Sequence, residues 1–240
     1  MSHRIKEILI SIFAAARRWF NAPVPKWCKF IVGVLLLPLC FGAVQALGRV
    51  LAHSRDAVTT WVGIGGGAAC WIVIYVLLPK PMLLYVLGHE FTHVLWTWLF
   101  GGKVKKFKAS PKGGHVIVTK NNFLISLAPY FFPVYATMVV AVFIIGHLIW
   151  NWMPYVVWFH LLLGAAYAFH VTLTWHILKT EQSDITQHGY LFSWVIIFLG
   201  NVSVLLLGVP MLASGVGVLT ALKWWMQATG GVLERLARLF

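Results

Sequence analysis

Six long apolar segments, separated by short polar or proline-containing stretches, dominate the pattern of this chain. They cover roughly residues 30–52, 58–78, 82–100, 123–149, 154–178 and 189–213. Each segment approaches or exceeds the roughly 20 residues that an α-helix needs to cross the hydrocarbon core of a bilayer. The pattern therefore predicts an all-α polytopic membrane protein with about six transmembrane helices. Four glycines in the second segment, at positions 63, 65, 66 and 67, predict close packing against a neighbouring helix.

Residues 101–120 interrupt the helical pattern directly after the third apolar segment. Val104 and Phe107 precede a Pro-Lys-Gly-Gly stretch at residues 111–114 that is typical of a turn, and Val116 and Val118 follow it. This arrangement predicts a small membrane-associated β-hairpin, with an ordinary basic loop as the alternative. The six lysines between residues 101 and 120 place the hairpin on the cytoplasmic side, because cytoplasmic loops carry an excess of Lys and Arg.

The composition supports a membrane location. Hydrophobic residues make up 60% of the chain and charged residues only 10%, whereas a soluble domain carries roughly 25% charged residues. The formal net charge is +13. Without an aromatic-rich soluble platform beside the basic residues, this charge favours anionic lipid headgroups of the bilayer over nucleic acid as a partner. A compact chain without organelle signals is also typical of the bacterial inner membrane.

Three regions follow from the distribution of apolar and basic residues. Residues 1–29 form an N-terminal amphipathic segment expected at the membrane interface. Residues 30–213 contain the apolar segments and the hairpin. Residues 214–240 form a C-terminal tail whose last part, residues 232–240, is amphipathic and expected on the membrane surface.

The third apolar segment contains the motif H-E-x-x-H, formed by His89, Glu90 and His93. Residues i and i+4 share one face of a helix, so both imidazoles can bind one metal ion, and the intervening glutamate can act as a general base. An ionisable side chain inside a bilayer costs roughly 2.5–3.5 kcal/mol. Metal coordination is a role that compensates for this cost.

A catalytic zinc site needs a third protein ligand and an open position for water. The chain has only six acidic residues. Asp184 is the preferred third ligand. It follows the fifth apolar segment, and in the predicted topology this end of the segment lies on the same side of the membrane as the end of the helix that carries His89 and His93. Glu181, His170 and His176 are the alternatives. A histidine in the fifth segment can also serve as an outer hydrogen-bond partner of a ligand histidine.

These residues resemble the site-2 protease family of intramembrane zinc metalloproteases. His89, Glu90 and His93 match the family motif, residues 101–120 look like its hairpin, and Asp184 follows at a similar separation. The resemblance implies one Zn2+ per chain, held by His89, His93 and Asp184, with Glu90 as the catalytic base. It further implies a metalloendopeptidase that cleaves membrane-spanning protein substrates near the cytoplasmic face.

The resemblance also implies a role for an asparagine after the hairpin. In some relatives an asparagine donates to the scissile carbonyl, and Asn121 or Asn122 could do the same, with a helix N-cap as the alternative role. Two other functions remain open from the sequence. One is a membrane metal-ion transporter or channel, and the other is an inactive, protease-like membrane adaptor.

Overall fold

The computed structural model describes residues 24–54, 57–213 and 215–239. The N-terminal amphipathic segment expected over residues 1–29 therefore lies mostly outside the described residues. The described chain is largely helical, and two short 3-10 turns, Ala128–Tyr130 and Met153–Tyr155, precede two of the longer helices. Its helices and strands, in chain order, are α1 (Lys26–His53), α2 (Val58–Leu77), α3 (Met82–Leu99), β1 (Val104–Ser110), β2 (Gly113–Val118), α4 (Phe123–Leu127), α5 (Val134–Trp150), α6 (Val156–Leu178), α7 (Ser183–Thr186), α8 (Tyr190–Leu212) and α9 (Val218–Ala237).

Among the described residues, four helices are long and apolar enough to cross a membrane. They are α1, α2, α6 with its preceding 3-10 turn, and α8. The count becomes five if α4 and α5, which together meet the same test, form one bent span. This agrees with the predicted all-α polytopic class. The motif-bearing helix α3, with 18 residues, is not one of these candidates, so the count of six spans stays a prediction.

The fourth apolar segment, residues 123–149, is not one continuous helix. It divides into α4 and α5, which are bent by 81° relative to each other. Pro129 lies in the 3-10 turn between them and Pro133 immediately precedes α5. Proline lacks a backbone N–H and disfavours helical geometry in the residue before it, which explains the break.

Helices α2 and α6 pack closely through glycines. A methyl group on Gly67 would overlap the Leu161 carbonyl, and one on Gly164 would overlap the Ile64 carbonyl. A methyl carbon on Gly63 would lie 2.7 Å from the Cβ of His160. The predicted close approach is therefore confirmed at Gly63 and Gly67, because only a residue without a side chain lets the two backbones come so near.

A second group of helices consists of α1, α8 and α9. Alanines and valines of α1 pack against branched residues of α8 in a buried cluster. Helix α9 joins this group through Ala221 and through Thr229, which lies against Gly42 of α1. The C-terminal tail is thus helical over 20 residues, a longer stretch than the amphipathic residues 232–240.

The small sheet consists of β1 and β2, paired antiparallel. The turn is shorter than the Pro-Lys-Gly-Gly stretch suggested, because Gly113 and Gly114 pair with Ser110 and Ala109 and so belong to β2. Only residues 111 and 112 connect the strands. A β-bulge near Lys105 shifts the register at the start of β1.

One buried cluster links the short elements that surround the motif. It contains Leu127, Ala128, Tyr130 and Phe131 from the region of the α4–α5 bend, Ile185 from α7 and Ile197 from α8. Trp96 of α3 packs against the same cluster. The bend, α7 and the end of α3 are therefore fixed relative to one another, and this arrangement positions the site.

Candidate metal centre

Helix α3 turns one face into the protein. Its buried residues include Tyr85, Val86, Glu90, Thr92 and Val94, whereas Leu83, Leu84, Leu87, Trp98 and Leu99 are exposed on the outside. The side chains of His89 and His93 lie on the inner side and are 11% and 14% exposed. Their ring centroids are 5.0 Å apart. The i, i+4 spacing of the motif thus places both imidazoles at the same point inside the fold.

Asp184 reaches the two histidines from a different part of the chain. It lies in the single-turn helix α7, between α6 and α8. Its Oδ2 atom is 3.7 Å from Nε2 of His89 and 3.7 Å from Nε2 of His93. The hydroxyl of Tyr130, which is 1% exposed, donates a hydrogen bond of 3.0 Å to the same oxygen. Tyr130 is in turn held by Asn201 of α8, whose side-chain amide donates to the Tyr130 carbonyl at 3.1 Å.

The three side chains fit a metal ion. Their ligand atoms lie within 4.8 Å of one another, and the two distances of 3.7 Å approach the roughly 3.3 Å edge of a tetrahedron with 2.0–2.1 Å metal–ligand bonds. Nδ1 of His93 donates to the Ile125 carbonyl at 2.8 Å. This bond fixes the ring proton on Nδ1 and leaves Nε2 of His93 free to bind a metal.

The charge on Asp184 suits the same role. Burial alone would raise the pKa of its carboxyl group, but the neighbouring imidazoles of His89 and His93 outweigh this effect and hold the pKa well below its ordinary value. Asp184 is therefore an anion over the physiological range. A carboxylate that faces two imidazole nitrogens is a donor set that divalent transition metals prefer.

Glu90 lies between the two histidines in sequence and is only 6% exposed. Strand β2 covers it: a methyl carbon on Gly114 would lie 2.7 Å from Cγ and 2.8 Å from Oε1 of Glu90. The same methyl carbon would lie 2.6 Å from the Lys108 carbonyl of β1. Gly114 therefore lets the hairpin backbone lie directly against the carboxylate of Glu90.

A cavity of about 460 Å3 connects these groups. Its walls include His89, Glu90, His93 and Asp184, together with residues 112–116 and Val118 of the hairpin. Consecutive residues of β2 thus face the cavity. Among the described residues β2 pairs with β1 on one edge only, and no further strand pairs with its other edge.

The two asparagines after the hairpin have different roles. Asn122 is the N-cap of α4, and its Oδ1 accepts a hydrogen bond of 2.9 Å from the Ile125 N–H. Asn121 lines the cavity, and its Oδ1 accepts from the Ser126 hydroxyl at 3.0 Å. Because this oxygen accepts from Ser126, the NH2 group of the Asn121 side-chain amide is the part that can donate to a ligand.

The structure brings together His89, Glu90, His93 and Asp184 but not the alternative third ligands. Glu181 is exposed and does not line the cavity. His170 is buried near the other side of His89, and His176 lies a turn and a half further along α6. Neither histidine belongs to the group of ligand atoms around Asp184.

Sequence reasoning missed Tyr130, Ile125 and Gly114, which hold Asp184, His93 and Glu90 respectively. Two prolines close together, Pro129 and Pro133, were a signal that the fourth apolar segment bends. The bend brings Tyr130 and Ile125 to the site. No local signal in the sequence identifies the partners that they contact.

Comparisons with protein-family models, with curated proteins and with solved structures each found no significant match to this chain. A functional assignment therefore rests on the chemistry of His89, Glu90, His93 and Asp184.

Proposed function

We propose that this chain is an intramembrane zinc metalloendopeptidase similar to the site-2 protease family. The observation that carries the proposal is the convergence of His89, His93 and Asp184, with the buried Glu90 beside them, on a cavity bounded by strand β2. Two histidines, one carboxylate and an adjacent glutamate are what a hydrolytic zinc site requires.

His89, His93 and Asp184 would hold the zinc ion, one per chain. A bound zinc ion supplies Lewis acidity, which lowers the pKa of water towards roughly 7 and polarises a substrate carbonyl. The choice of zinc follows from the mixed nitrogen and oxygen donors and from the H-E-x-x-H motif.

Glu90 acts as the proton carrier. As water adds to the carbonyl carbon of the scissile bond, the Glu90 carboxylate accepts a proton from that water. The carbon–nitrogen bond then breaks, and Glu90 gives the proton to the leaving amine. Burial under Gly114 keeps the carboxylate in one position, which a base needs in order to transfer a proton at hydrogen-bond distance.

The substrate is a membrane-spanning protein segment in extended form. A helix hides its carbonyls in internal hydrogen bonds, so the segment must unwind before cleavage. The free edge of β2 offers backbone groups to an unwound segment, which would add as a third strand. The amide NH2 group of Asn121 can then donate to a substrate carbonyl in the cavity.

The location follows from the lysines of the hairpin. Lys105, Lys106 and Lys108 are exposed, and exposed lysines favour the cytoplasmic side and contact with anionic headgroups. Cleavage would therefore occur near the cytoplasmic face of a bilayer, which we assign to the bacterial inner membrane. Six transmembrane helices, including α3, complete this topology.

Replacing Glu90 with glutamine tests the proposal. Membranes from cells that express the parent or the Glu90→Gln variant are compared by mass spectrometry of newly formed peptide termini. We expect termini within single-span segments only with the parent, and equal zinc content in both purified proteins. Glu181→Gln, which changes an exposed carboxylate outside the cavity, serves as the control and should behave as the parent.

Two results would contradict the proposal. One is an unchanged set of cleaved termini with Glu90→Gln. The other is a purified parent protein that holds no zinc, as expected for an inactive adaptor. Zinc movement into vesicles that contain the parent, without new termini, would instead support the transporter.

A further inference from the structure

A second, much smaller cavity lies on the side of His89 that faces α5 and α6. Its volume is about 20 Å3, and its walls include Tyr85, His89, Thr92, Tyr135 and His170. A cavity needs room for roughly one water-sized sphere, about 10–15 Å3, to hold a water molecule. The cavity is therefore large enough for one water molecule.

Two ring nitrogens of this wall lack partners. Nδ1 of His89 and Nε2 of His170 are buried and accept or donate no hydrogen bond within the described part of the chain. His170 is 7% exposed, so bulk water does not satisfy its ring. The hydroxyl of Tyr85, another wall residue, is in the same situation. Buried polar atoms without partners are costly, and ordered water usually satisfies them.

The remaining polar groups of the wall are already engaged. The Thr92 hydroxyl donates to the Gly88 carbonyl at 2.8 Å. The Tyr135 hydroxyl donates to the Leu84 carbonyl at 2.6 Å. Their hydrogens are therefore not available inside the cavity, and His170 is the wall residue besides His89 that has a ring nitrogen without a partner among the described residues.

The geometry of the metal centre decides which nitrogen of His89 carries a proton. Nε2 of His89 faces Asp184, so metal binding uses Nε2 and leaves the proton on Nδ1. A donor N–H needs an acceptor. For His93 the acceptor is the Ile125 carbonyl, and for His89 no protein atom of the described residues takes that role.

We propose that one water molecule fills the small cavity, accepts the Nδ1–H of His89 and donates to Nε2 of His170. His170 is then a positioning residue for the metal centre, acting through this water and through His89. Outer hydrogen-bond partners of this kind fix the ring orientation and raise the basicity of a metal-binding histidine. The inference rests on the proposed function for the presence of a metal ion at His89.

Three purified variants test the inference: His170→Leu, His170→Gln and His160→Leu. Leucine removes the acceptor, glutamine supplies an amide oxygen in its place, and His160 is a control on the same helix with similar burial, 8% exposed. Zinc affinity is measured by competition with a coloured chelator. The visible absorption bands of the Co2+-loaded protein report the geometry at the metal.

We expect His170→Leu to weaken zinc binding roughly 10- to 100-fold and to shift the Co2+ bands. His170→Gln should restore most of the affinity and the parent spectrum, and His160→Leu should match the parent in both. Equal losses with leucine and glutamine would indicate a packing role and overturn the inference. Parent-like affinity in His170→Leu would overturn it as well.

A measurement on the parent protein alone covers the case in which His170→Leu does not fold. Nitrogen-15 spectra of the histidine rings in the zinc-loaded protein should show His89 protonated at Nδ1 and His170 unprotonated at Nε2. A proton on Nε2 of His170 would overturn the inference while the zinc site stands. A parent protein that binds no zinc would instead refute the proposed function.

Discussion

The two sides of the metal centre differ in how they are built. Towards the hairpin, Glu90 and Asp184 face a cavity of about 460 Å3. Towards the α4–α5 bend, the same centre is closed by Tyr130, which is 1% exposed and does not line that cavity. The cavity side holds the groups that can act on a substrate, and the supporting side holds the groups that orient the ligands. Changes on the two sides should therefore have separable effects on cleavage and on metal affinity.

The substitution with the largest expected effect is at Asp184, which we expect to contribute both to zinc binding and to cleavage. Asp184→Ala removes a ligand and leaves two histidines, so we expect zinc affinity to fall more than ~100-fold and cleavage to disappear. Chelator competition measures the affinity. Glu181→Ala, three residues earlier and exposed, should bind zinc as the parent does. Similar affinities of Asp184→Ala and the parent would show that the third ligand is another residue.

A change at Gly114 isolates the cavity side. In Gly114→Ala the new methyl group meets Glu90 and the Lys108 carbonyl, so either the hairpin or the carboxylate must move. A displacement of this kind costs on the order of 100-fold in rate, and we expect unchanged zinc affinity. Newly formed peptide termini, quantified against Gly65→Ala, measure the loss. At Gly65 no atom lies within 4 Å of the position of a new methyl carbon. An equal loss of cleavage in Gly65→Ala would show that the contact of Gly114 with Glu90 has no special role.

A change at Tyr130 isolates the supporting side. Tyr130→Phe deletes the hydroxyl that donates to Asp184 and keeps the ring in its buried cluster. We expect zinc affinity to fall about 10-fold, and added zinc to restore cleavage. The control is Tyr155→Phe, since Tyr155 is 58% exposed. A loss of cleavage that saturating zinc does not restore would place Tyr130 on the catalytic side.

The smallest expected effect is the pH dependence of stability that arises at His188, close to the helix α7 that carries Asp184. His188 is buried next to α7, and burial together with the nearby Lys29 ammonium lowers its pKa to about 4. Nζ of Lys29 lies 2.7 Å from Nδ1 of His188. The unfolded chain binds this proton near pH 6.5 and the folded chain does not, so the folded protein loses stability as the pH falls from about 6.5 towards 4.

Thermal unfolding of the metal-free protein at pH 7.5 and at pH 5 measures this effect. The parent should lose a few degrees more than His188→Asn, which lacks a titrating ring. A shift of about 2–4 °C corresponds to 1 kcal/mol for a chain of this size. The variant His147→Asn is the control. A parent and a His188 variant that respond equally to pH would show that the stability of the fold does not depend on a neutral His188 beside α7.

The parts of the site that depend on local spacing were predictable from the sequence. The i, i+4 rule alone places His89 and His93 together, and the turn residues at 111–114 with their flanking valines predict a small two-stranded sheet. The meeting of these histidines with Asp184 depends on how α6 and α7 pack. Asp184 could therefore be preferred among the candidate ligands only by assuming a membrane topology. The contacts of Gly114 and Tyr130 depend on folding between distant segments, and no periodicity encodes them.

The sequence was a poorer guide to where apolar segments stop being single helices. Residues 123–149 have the composition of a continuous span, and hydropathy does not register a change of direction. The two prolines determine the geometry there, because they remove donors and restrict the preceding residues. The same segment contributes Tyr130 and Ile125, which orient Asp184 and His93. The place where the helix prediction is wrong is therefore part of the site.

The bond between His93 and the Ile125 carbonyl has its origin four residues further along. In an α-helix the carbonyl of residue 125 would pair with the N–H of residue 129, and that residue is Pro129, which has none. Because Pro129 cannot donate this hydrogen bond, the Ile125 carbonyl is left to accept one from the His93 ring. A residue that is not itself a proposed ligand thereby determines which tautomer His93 presents, because its nitrogen carries no hydrogen.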